Sequence, residues 1–134
     1  MIMAILFREE LQEYDFGPGH PFRGDRYPLF YRFLREHLPQ NDNYAIIEAE
    51  PARDSDLLLI CQKDYVEFTT EYYKAANLEI NYPTPIYQYH SGDNIPYSKP
   101  GKLEEAARLI LGQAKKASDS LKPVKGKKDF SIPR

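Results

Sequence analysis

Two short apolar runs of the sequence most strongly limit the folds that it can adopt. MIMAILF (residues 1–7) is followed at once by charged residues, and YAIIEAE (44–50) is followed by Pro51. Short apolar runs with such boundaries are typical of buried strands. An amphipathic helix lies between them in the sequence, and an alternation of strands and helices is typical of α/β domains. The sequence therefore predicts an α/β fold in which a small parallel sheet is flanked by helices.

Two segments carry the apolar spacing of longer amphipathic helices. The segment 27–38 repeats its large apolar residues at helical spacing, namely Leu29, Phe30, Phe33, Leu34 and Leu38. The segment 102–121 places a second set on one helix face, namely Leu103, Ala106, Ala107, Ile110, Leu111 and Ala114. We expect each set to form the buried side of its helix.

The remaining segments predict two further helices, a loop and a third strand. A short helix is expected at 52–60, with Asp54 or Ser55 as its cap, and another helix at 64–76. The segment 78–101 contains four prolines, two glycines and four tyrosines, which indicates a long irregular loop. A third strand is expected at 129–132.

Composition and charge restrict the class of protein. The chain has 134 residues, 42% of them hydrophobic, which suits about one domain with its own core. Its formal net charge of −2 gives no global field that would attract nucleic acid, and no apolar run is long enough to span a membrane. The single cysteine, Cys61, favours a reducing compartment and predicts a cytoplasmic protein. The basic segment 122–134 is interpreted as a solvated linker, and nucleic-acid binding is the weaker alternative.

The segment YDFGPGHPFRGDRY (14–27) concentrates rigid and cationic residues in one loop. Gly17 and Gly19 allow a tight backbone path, and His20 is biased towards an extended conformation because a proline follows it. Arg26 stands where the following helix begins. We expect this loop to form a rigid, pre-organised surface. Arg26 is expected to be bound to loop carbonyls or to acidic neighbours.

Three segments together resemble the histone deacetylase superfamily, in particular its acetoin-utilisation and acetylpolyamine deacylase branch. YDFGPGHPFRGDR is similar to the family's G-x-x-HP-x-x-x-x-R pattern. EAEPARDSDLLLICQKDYVEF is similar to its P-x-x-A-x-x-x-(D/E)-L-x-x-x-H-x-x-x-Y helix pair, although Cys61 stands where the family has histidine. SGDNIPYSKPGKLEEAARLILGQAKKA is similar to its GD-x-P…G-x-x-E-x-A…GG-x-x-x-A stretch. The resemblance covers residues 3–121 and implies a partial arginase/deacetylase-like fold, with a deacetylase-like N-terminal domain at 1–121 and a linker at 122–134.

The resemblance implies substrate contacts but not a complete catalytic centre. It places Arg26 beneath an acyl channel and Asp93 on its rim, and it extends the substrate-binding set to His20 and Phe16. In the family, the zinc ligands, the paired histidines and the transition-state tyrosine lie downstream of the resembled region, and this sequence contains none of them. The candidates His20, His37, His90 and Cys61 share no ligand spacing, so we expect no catalytic residue, no metal site and no cofactor unless a second polypeptide supplies zinc.

Each of these residues also has a structural interpretation. His20 is more simply a hydrogen-bonded loop histidine than a base, and Asp93 is more simply a turn aspartate. Cys61 lies in an apolar run and is expected to be a buried, inert thiol.

Two classes of function remain open. The first is a truncated deacetylase-like module that is inactive alone, or one part of a split zinc-dependent amide hydrolase. The second is a stand-alone binding or regulatory domain on the same scaffold. A narrow sheet leaves open edges, so either class predicts a partner, which is a homo-oligomer or a complementary C-terminal deacetylase-like chain.

Overall fold

The computed structural model describes residues 3–39, 41–77 and 100–121. Most of the predicted loop at 78–101, with Asp93 and His90, lies outside the described residues. The predicted strand at 129–132 and the basic linker lie outside them as well.

The first two predicted strands pair as expected. β1 (Met3–Leu6) and β2 (Tyr44–Ile47) form a parallel two-stranded sheet in which Met3 lies opposite Tyr44 and Leu6 opposite Ile47. The Phe7 amide extends the ladder by donating to the Ile47 carbonyl at 3.1 Å. The α/β fold with a small parallel sheet and helices is therefore confirmed, although each strand is shorter than its apolar run.

Four α-helices accompany the sheet within the described residues. They are α1 (Arg26–His37), α2 (Asp54–Leu57), α3 (Lys63–Asn77) and α4 (Pro100–Leu121). A 3₁₀ helix at Glu9–Glu13, which the sequence did not predict, follows β1. None of the helices in the described part of the chain has the length and apolar composition needed to cross a membrane.

The cap of α2 differs from the prediction. The N-cap residue is Arg53, not Asp54 or Ser55, and its amide donates to the Asp56 carboxylate at 2.9 Å. That hydrogen bond and the Lys115 ammonium, 3.4 Å away, stabilise the charged carboxylate and lower the pKa of Asp56. The helix begins two residues earlier than a capping Ser55 would require and one residue earlier than a capping Asp54 would.

The core lies where α3, α4 and the 3₁₀ helix pack together. Its buried apolar residues are small for the most part, namely Leu11, Ala49, Ala52, Val66, Phe68, Ala75, Leu103, Ala106 and Leu109. Small side chains allow the helix backbones to approach closely. The core is therefore centred on the helix pair, with the sheet to one side.

The buried side of α4 is rotated relative to the prediction. Leu111 was expected inside but is 41% exposed, whereas Leu109 is buried. The reason is that α4 packs against α3 on one side and against the backbone that precedes α2 on another. The Ala52 amide donates to the Arg108 carbonyl at 2.9 Å and fixes this second contact.

The predicted apolar face of α1 is divided between the sheet and solvent. Leu34 and Leu38 are half-buried and lie next to Ile5 and Tyr31. Tyr31 also stacks on Phe7, with 4.1 Å between ring centroids. The other three predicted core residues are exposed, at 49% for Leu29, 62% for Phe30 and 54% for Phe33. The prediction that one face buries all five residues was wrong.

Candidate functional site

The loop that precedes α1 folds around one carboxylate. We call residues 14–25 the aromatic loop. Asp15 accepts a hydrogen bond from the Gly17 amide at 2.7 Å through Oδ1 and one from the Gly24 amide at 2.9 Å through Oδ2. Both hydrogen bonds favour the charged carboxylate and lower the pKa of Asp15, and the bond from the Gly17 amide has the larger effect. One side chain therefore holds both ends of the loop, a role that the sequence analysis missed although an aspartate two residues before a glycine is a turn signal.

Three glycines make this path possible. Gly17 and Gly19 have φ angles of +93° and +85°, in the left-handed region that other residues adopt at a cost. Gly24 is required for a different reason, because a Cβ atom there would lie 1.7 Å from the Gln12 carbonyl oxygen. The loop backbone thus lies directly against the 3₁₀ helix.

A cluster of rings forms one side of the loop. Phe16 lies 4.6 Å from the His20 ring in a stacked arrangement and 5.4 Å from Tyr14 edge to face, measured between ring centroids. His20 Nδ1 accepts a hydrogen bond from the Phe22 amide at 3.1 Å, so the neutral ring carries its proton on Nε2. This is the hydrogen-bonded loop histidine that the sequence favoured, and its Nε2 proton is left to serve as a donor.

Arg26 joins the ring cluster from the first turn of α1. Its guanidinium lies 5.7 Å from the centroid of Phe22 and 5.0 Å from that of Tyr27, and it donates to the Tyr27 hydroxyl at 3.3 Å. The described residues do not show the expected tie to acids or loop carbonyls, and the contacts of Arg26 within them are with Phe22 and Tyr27. The structure thus brings Phe16, His20 and Arg26 into one neighbourhood through Phe22.

An open cleft of about 790 Å³ lies along the aromatic loop. Its polar lining consists of Asp15, His20, Arg23 and Asp25. Asp15 is occupied by backbone amides, and Asp25 forms an ion pair with Arg23. The arrangement suits binding by shape and by hydrogen-bond donors such as His20 Nε2 more than it suits proton transfer.

The described residues do not fit a zinc site. No group of three histidine, cysteine or acidic side chains in the described ranges is close enough to hold a metal ion. His37 stacks on Phe33 in α1, with ring centroids 4.0 Å apart, and Cys61 follows α2. Cys61 is half-buried and not fully buried as expected.

Arg108 is a second organising residue that the sequence analysis missed. Its side chain is 15% exposed and donates to Asp54 at 2.7 Å, to the Ala52 carbonyl at 3.3 Å and to the Thr70 hydroxyl at 3.3 Å. It also forms an ion pair with Glu104. Burial is the largest single influence on the pKa of Arg108 and lowers it. The Glu104 and Asp54 carboxylates together outweigh burial, so the pKa of Arg108 is raised overall. Arg108 thereby ties α4 to α2 and α3.

Replacing Asp15 with alanine is expected to lower the free energy of unfolding by about 2 to 3 kcal/mol, because two buried backbone amides lose a charged acceptor. The comparison with wild type is made by urea denaturation at pH 7. Asp25→Ala is the matched control. Asp25 pairs with Arg23 on the surface, so this change should cost less than about 1 kcal/mol.

The Asp15 effect should also depend on pH. The folded-state pKa lies below the unfolded value of about 3.9, so the stabilisation is fully present above that value. It is lost as the pH falls through the folded-state pKa. The difference in stability between wild type and Asp15→Ala should therefore be constant at neutral pH and shrink in acid. A difference of the same size at pH values well below the unfolded pKa would contradict the assignment.

The aromatic loop thus contains two of the four proposed substrate contacts, Phe16 and His20. Arg26 follows the loop as the first residue of α1, and the fourth, Asp93, lies outside the described residues. The family resemblance rests on sequence motifs alone. The chain matches no protein-family model, no curated protein and no solved structure.

Proposed function

We propose that this chain is a histone deacetylase-like module that is inactive alone and forms one part of a split deacylase. In this proposal a second polypeptide supplies the zinc-binding and catalytic residues. The motif resemblance supports the family, and the small parallel sheet with its helices is compatible with part of an arginase/deacetylase-like fold. One observation carries the need for a partner, namely a set of large apolar side chains that lie in solvent next to α2.

These side chains form what we call the α2 corner, which consists of Leu58, Leu59 and Ile60. They are 45%, 80% and 83% exposed. The turn that presents them is ordered by hydrogen bonds from the Leu58 amide to the Asp54 carbonyl at 2.9 Å and from the Cys61 amide to the Leu57 carbonyl at 2.8 Å. Burial of one such side chain is worth about 1.5 to 3 kcal/mol. A fixed apolar corner is therefore a suitable contact for another chain.

The aromatic loop would have a separate role in the assembled enzyme. Asp15 and the glycines hold Phe16 and His20 in fixed positions beside the cleft. Arg26 is the first residue of α1, which follows the loop. The resemblance implies that such a loop lines the acyl channel of an acetyl-lysine-like substrate. The loop would thus position the substrate, while the chemistry would belong to the residues that the partner supplies.

The proposal is tested by reconstitution. The purified chain is mixed with a polypeptide that carries the remainder of a deacetylase of the resembled branch, and zinc-dependent hydrolysis of an acetyl-lysine peptide is followed. We expect no hydrolysis by the chain alone, a one-to-one complex with the second polypeptide, and hydrolysis by that complex. Leu59→Ser combined with Ile60→Ser should abolish the complex. Leu121→Ser is the matched control and should leave the complex intact, because Leu121 is 85% exposed but lies at the end of α4 and not in the α2 corner.

Three results would each contradict a distinct part of the proposal. Hydrolysis by the chain alone would show that it is a complete enzyme. Failure to form a complex, or a complex unaffected by the corner variants, would exclude the α2 corner as the contact. A complex without hydrolysis would favour the second candidate, a stand-alone binding or regulatory domain on the same scaffold. The exposed side of α1 is the observation that favours that candidate, because it offers a second apolar surface away from α2.

A further inference from the structure

The exposed side of α1 carries a pattern that the α2 corner lacks. We call Leu29, Phe30 and Phe33 the α1 stripe. Their spacing places them on one side of the helix, and together they expose about 300 Å² if a fully exposed side chain of this kind presents about 200 Å². Phe22, 45% exposed, extends this surface beyond the first turn, where Arg26 lies above its ring. Apolar surfaces of this size on small domains commonly mark interaction sites.

Two charged residues border the stripe at opposite ends. Arg26 is the first residue of α1 and precedes Phe30 by four positions, and Glu36 is in the last turn and follows Phe33 by three. Both are exposed, and within the described residues neither forms an ion pair. Residue 31 is the centre of the stripe, and the two charges stand five positions before it and five after it. The charges are therefore of opposite sign and symmetrically placed.

Each of these charges lies at the unfavourable end of its own helix. The helix dipole is positive at the N-terminus, where Arg26 stands, and negative at the C-terminus, where Glu36 stands. An antiparallel neighbour reverses the relation, because its C-terminus would lie beside Arg26 and its N-terminus beside Glu36. If the antiparallel neighbour is the α1 helix of a second copy, its Glu36 also lies opposite Arg26. The most economical helix with these properties is a second copy of α1.

We propose that the chain forms a two-fold dimer in which the α1 helices of two copies pack antiparallel, with the axis near residue 31. In this register Leu29 of one copy faces Phe33 of the other, and both ends are closed by an Arg26–Glu36 pair. A two-fold interface requires a surface that is complementary to itself, and the α1 stripe with its two charges meets that requirement. The proposal does not depend on the proposed function, in which the second polypeptide contacts the α2 corner and Arg26 lies beside the substrate.

The size of the contact sets the expected strength. With both stripes, both Phe22 rings and the stems of the charged residues, the dimer would bury on the order of 1,000 Å² in total, which is at the low end for specific interfaces. We therefore expect a reversible dimer with a dissociation constant in the micromolar range, about 10 to 100 μM.

Sedimentation equilibrium of the full chain from about 5 to 500 μM covers this range. Wild type should fit a monomer–dimer equilibrium, and Phe33→Ser should raise the dissociation constant at least about tenfold, because it removes apolar contact at the centre. Leu59→Ser is the matched control, since Leu59 is 80% exposed but lies in the α2 corner. Circular dichroism should show that all variants are folded. A strict monomer at the highest concentration, or a dimer that Phe33→Ser does not weaken, would overturn the proposal.

A charge exchange tests the antiparallel register separately. Glu36→Arg should weaken the dimer, because it places two cations together at each end, and Arg26→Glu should weaken it by placing two anions there. The double variant restores opposite charges and should dimerise more strongly than either single variant. If the double variant is as weak as the weaker single variant, the proposed pairing of Arg26 with Glu36 is wrong.

Discussion

Gly112→Ala is expected to destabilise the protein by at least about 3 kcal/mol, although alanine in a helix interior is ordinarily favoured over glycine by about 1 kcal/mol. A Cβ atom at this position of α4 would lie 1.9 Å from the Glu50 carbonyl oxygen and 3.2 Å from the Ala52 amide nitrogen. Both are backbone atoms. Their segment is held to α4 by the hydrogen bond from the Ala52 amide to the Arg108 carbonyl, so it cannot move without breaking that bond.

Urea denaturation followed by circular dichroism gives the change in unfolding free energy. Ala114→Gly, at an exposed position two residues along the same helix, is the matched control and should cost about 1 kcal/mol through helix propensity alone. The sign of the Gly112→Ala effect is the decisive observation. A variant as stable as wild type, or more stable, would show that α4 does not approach the backbone before α2 as closely as the structure has it.

Gly24→Ala is expected to have an effect of similar size in the aromatic loop. Its Cβ atom would lie 1.7 Å from the Gln12 carbonyl oxygen and 3.1 Å from Asp15 Oδ2. The substitution would therefore push the aromatic loop away from the 3₁₀ helix and strain the Asp15–Gly24 hydrogen bond. We expect a loss of at least about 3 kcal/mol, because overpacking here is combined with the loss of a charge-assisted bond.

Gly19→Ala is the matched control for this loop. Gly19 has a φ angle of +85°, but an added Cβ would meet no atom within 4 Å. Its replacement should cost only the backbone strain of the left-handed region, about 1 to 2 kcal/mol. Near-ultraviolet circular dichroism of the tyrosines should change more in Gly24→Ala than in Gly19→Ala. Equal effects of the two substitutions would mean that the close approach at Gly24 does not constrain the loop.

Two glycines and two charged residues whose roles the sequence did not predict form contacts of the same kind. Gly24 and Asp15 join the aromatic loop to the 3₁₀ helix, and Gly112 and Arg108 join α4 to the segment before α2. In each case a glycine allows a close approach and a charged side chain satisfies nearby polar groups. These contacts fix the candidate site and the helix pair that supports it.

The sequence by itself determined the order of the two strands and four α-helices that the structure describes and the pairing of β1 with β2, but it did not predict the 3₁₀ helix. Apolar runs and helical spacing are local properties, and an intervening helix leaves a parallel arrangement as the natural connection. For the candidate site, the composition of the aromatic loop predicted an ordered surface. It also pointed to His20 as a loop histidine held by a hydrogen bond.

Only the tertiary structure decided which side of each helix is covered. The apolar spacing of α1 is the same whether Phe33 meets a core or solvent, and within the described residues the sheet has two strands and covers only the side with Leu34 and Leu38. The choice of Leu109 over Leu111 in α4 likewise depended on where the backbone before α2 lies. Asp15 and Arg108 gained their roles from partners that are up to 56 residues away in sequence, and periodicity contains no information on such contacts.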